Sequence, residues 1–96
     1  MRELGKTTQQ MQSAPRHSIY IWPTRCSMGY AKHLAQSLGR DDLVLVTPEW
    51  LDSQRWRGLT LYGIVVDHAV WLTPKQRIHL DSANFRISTL LIDTYS

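Results

Sequence analysis

The stretch Arg57-Gly58-Leu59-Thr60-Leu61-Tyr62-Gly63-Ile64-Val65-Val66-Asp67-His68 decides how the chain is read. Ile64, Val65 and Val66 form a β-branched run, the composition of a strand buried on both faces of a parallel sheet. Asp67 follows at the carboxyl end of that strand, where open α/β sheets bind ligands and where phosphate-transfer sites hold a magnesium ion. An aspartate there also commonly ends a strand and caps the following turn.

Working back from this strand, Ile19-Tyr20-Ile21-Trp22 is a short apolar run closed by Pro23, and reads as a buried strand followed by a loop. Met28, Ala31, Leu34, Ala35 and Leu38 then recur at helical spacing, with Gly39 placed to end the helix. Leu43 to Val46 is the next strand. Thr47 and Pro48 open a short helix, with Glu49 near its positive end and Arg57-Gly58 closing it.

Forward from the third strand, expected over Leu61 to Val66, Ala69 to Leu72 extends the apolar layer. Thr73-Pro74-Lys75-Gln76 supplies a cap, a proline at the first helical position and a glutamine placed for a capping box, predicting a helix to about Ser82. Ile87, Leu90, Leu91 and Ile92 predict a fourth strand within Arg86 to Tyr95. The order β-α-β-α-β-α-β implies an α/β fold: a small, mostly parallel sheet of about four strands with helices on its faces. The loop from Pro23 to Met28 and the pair Asp67-His68 are expected to face each other at one edge of it.

Residues 1–17 are polar, rich in Gln, Thr and Ser, and predict a flexible N-terminal arm; residues 18–96 predict a single α/β domain. At 96 residues, 43% hydrophobic and 20% charged, the composition is that of an ordinary globule. A chain this size buries only roughly 60 to 65% of the surface it exposes unfolded, so self-association would add stability. No apolar run is long enough to span a bilayer, and Arg2 and Lys6 are not followed by the apolar core of a secretory signal. Cys26 is the sole cysteine, which excludes an intramolecular disulfide and makes a reducing, cytoplasmic location the default.

The net charge of +3 permits nucleic acid or acidic partners without demanding them, because the basic residues are scattered. The four tryptophans, Trp22, Trp50, Trp56 and Trp71, are a stronger signal; two are expected inside and one or two at a contact surface. Trp50, Arg55, Trp56 and Arg57 bring aromatic faces and guanidinium groups together. That chemistry anchors protein interfaces and also stacks bases. With so modest a charge, a protein partner ranks ahead of nucleic acid.

In element order, and in a few residues of Ile19 to Tyr95, the chain resembles the first half of a P-loop NTPase core of the helicase and terminase type. That resemblance implies a P-loop-like, Rossmann-like fold. It sets Pro23 to Ala31 in the place of the phosphate loop, with Thr24, Arg25, Ser27 and Gly29 as candidate ligand or phosphate contacts. It also sets Asp67 in the place of the acidic strand end, and Ile87-Ser88-Thr89 in that of a later strand. The departures bear on chemistry: Gly29 is followed by Tyr30 and Ala31, not by the lysine and hydroxyl residue that reach phosphates and magnesium, and His68 stands where a catalytic glutamate would polarise water. A second, local resemblance is Val46 to Ser53, similar to the Trp-helix of BRCT phosphopeptide-binding modules. There the motif lies near the domain's end, whereas here more than forty residues follow.

The histidines His17, His33, His68 and His79 show no metal spacing, so no metal and no cofactor are expected. Cys26 lacks the arginine of a Cys-x5-Arg phosphatase loop, since Ala31 and then Lys32 follow at the critical places. The expectation is a non-catalytic binding or regulatory protein, of the style of a phage or mobile-element accessory protein, acting on a protein partner in nucleic-acid metabolism. The alternatives are a nucleic-acid-binding module, and a nucleotide- or phosphate-processing enzyme using Asp67 and His68.

Overall fold

The apolar run at Ile19 becomes the middle strand of a sheet because it can bury both of its faces. A computed structural model describes residues 2–58 and 62–95, with side chains for 5–57, 62–85 and 87. In chain order the elements are α1 (Arg2–Ser13), β1 (Ile19–Ile21), α2 (Met28–Ser37), β2 (Val44–Val46), α3 (Glu49–Ser53), a 3₁₀ helix (Arg55–Gly58), β3 (Ile64–Val66) and α4 (Pro74–Tyr95). Among the described residues the sheet has three strands in the order β2-β1-β3, and both pairings are parallel. Ile19 stands beside Val44 on one side and Ile64 on the other.

Alternation along β1 divides the core in two. Tyr20 points to one face, where it joins Met11, Ala14, Ala31, Ala35 and Leu43, so α1 and α2 cover that side. Ile19 and Ile21 point to the other, against Leu51, Trp56, Ala83 and Ile87 from α3, the 3₁₀ helix and α4. Helices on both faces of a parallel sheet are what the alternating strands and helices predict. The predicted turn chemistry is also present. Gly39 ends α2 with φ of 72°, a conformation that favours glycine. The Thr73 hydroxyl accepts from the Gln76 N–H at 3.1 Å while Gln76 Oε1 accepts from the Thr73 N–H at 3.0 Å, the reciprocal bonds of a capping box.

Three expectations need correction. The segment expected as a fourth strand, Arg86 to Tyr95, is the second half of α4. Leu80, Ala83 and Ile87 recur at helical spacing and pack together, so the tertiary contact overrides the β-branched composition. Most of the amino-terminal arm is instead the helix α1, because Thr7 and Met11, four residues apart on one face, are both buried, as is Ala14 just beyond its end. Ala69 to Leu72 extends the apolar layer as expected, though not as strand: Asp67 to Val70 forms a turn, and Val70 and Leu72 pack against the second core cluster. The third strand, expected from Leu61, begins at Ile64; Tyr62 and Gly63 precede it outside the strand, and residue 61 lies outside the described residues. No helix among the described residues is long and apolar enough to cross a membrane.

Candidate functional site

The carboxyl ends of β1 and β2 open into a cleft of about 380 Å³. Its lining includes Arg25 and Met28 from the β1-α2 connection, Val46 from β2, Glu49 and Trp50 from α3, and Arg55 from the 3₁₀ helix. The sequence proposes two separate groups here, a phosphate loop and an aromatic-basic surface. Folding brings Arg25 of the first together with Trp50 and Arg55 of the second. Their convergence follows from α3 starting directly after β2 and ending at Gln54, whose φ of 55° reverses the chain into the 3₁₀ helix carrying Arg55.

The charge of the cleft is mixed. The Thr47 hydroxyl bonded to Glu49 holds that carboxyl below its ordinary range, helped by the Glu49 backbone N–H and by the Arg25 charge. Glu49 is therefore ionised, and with Arg25 and Arg55 it leaves an excess of one positive charge. Trp50 is half-buried; its carbonyl accepts a 2.6 Å bond from the Ser53 hydroxyl, which fixes the short helix end.

The other candidate phosphate contacts serve the fold. Ser27 Oγ accepts from Trp22 Nε1 at 2.8 Å and shares a 2.7 Å hydrogen bond with Thr24 Oγ1. These hydroxyls hold each other and the indole. Gly29 is the second residue of α2, and a Cβ there would meet nothing within 4 Å, so no backbone approach requires glycine. Cys26 is exposed.

Asp67 and His68 do not line the cleft. Asp67 is 2% exposed. Its Oδ2 accepts from Tyr20 Oη at 2.6 Å and from Thr7 Oγ1 at 3.1 Å, and its Oδ1 accepts from the Ala69 N–H at 2.9 Å. Burial first, and then the Asp67 bond, raise the Tyr20 phenol far above its ordinary range. His68 Nε2 lies 3.1 Å from the Thr7 hydroxyl and 3.9 Å from Asp67 Oδ1. Thus α1 is laid over this strand end, and the carboxylate expected to point into a crevice is engaged by three donors of the protein itself.

Trp56 is also inside. It is 3% exposed, donates through Nε1 to the Leu51 carbonyl at 3.1 Å, and lies 6.2 Å from the His79 ring. Arg57 stands over its ring at 5.2 Å. Trp22 and Trp56 are thus buried, Trp50 is half-buried and Trp71 is 82% exposed; two tryptophans lie inside as expected, but Trp56, expected at the contact surface, is one of them.

The residues that sequence reasoning missed are Thr7 and Gln10. Gln10 Nε2 donates to the Val66 carbonyl at 2.9 Å, and its Oε1 accepts from the His68 N–H at 2.8 Å. The available signal was their spacing with Met11 and Ala14, which places Thr7 and Gln10 on or beside the buried helical face. Among the described residues no three His, Cys, Asp or Glu side chains are grouped to hold a metal ion. Neither a protein-family model, nor a curated protein, nor a solved structure matches the chain.

Proposed function

We propose that this is a non-catalytic binding protein that holds a segment of a protein partner in the Arg25-Trp50-Arg55 cleft. The convergence of those three side chains at the carboxyl edge of a parallel sheet carries the reading. Tryptophan and arginine dominate the energetics of protein interfaces, and a half-buried ring sharing one cleft with two arginines offers both apolar area and directed donors. With an excess of only one positive charge the cleft lacks the run of cations that a phosphate backbone calls for, which favours a protein segment over a nucleic acid. Two features weigh against phosphate chemistry: the absent loop lysine and the enclosure of Asp67 by Thr7 and Tyr20.

Affinity capture from the native cell, after nuclease treatment, tests this. A protein retained by the natural chain and lost by the Arg25→Ala/Arg55→Ala double variant is the expected result. Retention of nucleic acid alone in a parallel capture without nuclease, or magnesium-dependent ATP or GTP hydrolysis abolished by Asp67→Ala, would overturn it.

A further inference from the structure

The two edges of the sheet are finished differently. On the β3 side the side-chain amide of Gln10 bonds the carbonyl of Val66 and the N–H of His68, the two groups that flank Asp67 on the outer edge. A residue of a parallel neighbouring strand would make the same pair of bonds, so Gln10 closes that edge.

On the β2 side there is no such closure. The Val44 N–H bonds the Ser18 carbonyl at 3.0 Å and the Val46 carbonyl accepts from the Trp22 N–H at 2.8 Å, so β2 turns its even-numbered residues toward β1. Alternation then turns the N–H and C=O of Leu45 outward. Among the described residues neither has a partner. Edge strands are commonly guarded by lysine, proline or a bulge. Leu43-Val44-Leu45-Val46 carries no lysine and no proline, and Val44 is 49% exposed.

Leu45 also lines depressions on both sides of this edge. One is the Arg25-Trp50-Arg55 cleft; the other, of about 230 Å³, lies against α2 and includes Lys32, Ala35 and Leu43. Side chains of an added strand alternate between two such flanks. Arg25, Arg55 and Lys32 outnumber Glu49 and Asp41 along the edge, while Arg40 is engaged by Asp42.

We infer that β2 is a docking edge for an extended acidic peptide segment of the partner, which adds to the sheet as a fourth strand, its acidic side chains toward Arg25 and Arg55 and its apolar ones toward α2. Main-chain bonds to Leu45 supply affinity and the two flanks supply selectivity. The inference rests on the cleft reading above.

The probe is an end-blocked octapeptide of alternating valine and glutamate, titrated into the full chain by amide NMR. The expected results are saturable binding, slowed exchange of the Leu45 N–H, and weakening by Arg55→Ala. Of two peptides N-methylated at alternate positions, the one methylated on the pairing side should bind about tenfold more weakly, the loss expected when ladder hydrogen bonds are removed. Equal binding by both methylated forms would overturn strand addition, and would leave the cleft reading standing if Arg55→Ala still weakens them. No binding at millimolar peptide, equal binding of a valine-lysine peptide, or Leu45 protection from self-association without peptide would also overturn the inference. In each case capture of a partner that depends on Arg25 and Arg55 keeps the cleft reading separate.

Discussion

Tyr20 Oη donates to Asp67 Oδ2 across 2.6 Å, joining the middle strand to the end of its neighbour inside the protein. A hydrogen bond to a buried carboxylate contributes more than a neutral one, so Tyr20→Phe should cost about 1.5–3 kcal/mol in denaturant unfolding. The same contact sets an alkaline limit. Tyr20 keeps its proton in the folded protein above its ordinary pKa of 10.0, so the folded state binds the extra proton there. Stability from this group is complete below pH 10 and declines as pH rises beyond it. Unfolding followed against pH should show that decline, and Tyr20→Phe should reduce it.

Gln10 closes the outer edge of β3 with one donor and one acceptor. Gln10→Ala should cost about 1–2 kcal/mol by leaving Val66 and His68 backbone groups without that partner. Gln10→Glu should cost more, since a carboxylate keeps the acceptor for His68 but faces the Val66 carbonyl without a donor. Thermal unfolding ranks the two variants, and faster amide exchange at His68 locates the effect.

Arg40 ties the end of α1 to the loop before β2. Its Nη1 donates to the Met11 and Gln12 carbonyls at 2.7 and 3.1 Å, and its Nη2 donates to the Pro15 carbonyl at 3.2 Å, so a cation sits on the negative end of the helix. Arg40→Lys cannot reproduce this planar fork and should lose most of what Arg40→Ala loses, about 2 kcal/mol by denaturant titration. The Arg40 bond, and then the His17 N–H, hold Asp42 well below its ordinary 3.8. That contribution is present above pH 3.8 and fades as pH falls below it. Asp42→Asn should flatten this acid limb, as unfolding at graded low pH would read out.

Gln76 both completes the α4 cap and donates through Nε2 to Asp52 Oδ2 at 3.0 Å, joining α4 to α3. Gln76→Ala should therefore cost about 1–2 kcal/mol, more than a cap alone, and Gln76→Glu should keep both cap bonds but lose the donor to Asp52 and set two carboxylates together. Comparing both in a double-mutant cycle with Asp52→Ala separates the cap from the bridge.

These relationships show what the sequence makes legible. The strands at Ile19, Val44 and Ile64 are short apolar runs bounded by turn residues, and the helix starts at Met28 and Pro74 carry periodicity or a capping box. All are local signals. The helix α1 is hidden because a polar residue, Thr7, occupies a core position, made tolerable by a carboxylate sixty residues away. The second half of α4 reads as a strand because Ile87 and its β-branched and apolar successors suit either state, and only contact with Leu51 and Trp56 decides. At the site, the chemistry of Arg25, Trp50 and Arg55 is legible but their meeting is not. Trp56 misleads because its N–H finds a backbone partner five residues back, inside the core.

The central claim is that the cleft beside β2 holds a protein. A photo-reactive phenylalanine analogue introduced at Ser53, which lines that cleft, and separately at Lys75, exposed on α4, tests it inside the native cell. The account predicts a discrete protein adduct from position 53 that is absent from position 75 and lost when Arg25→Ala and Arg55→Ala are added. Adducts only to nucleic acid, or the same proteins from both positions, would contradict it.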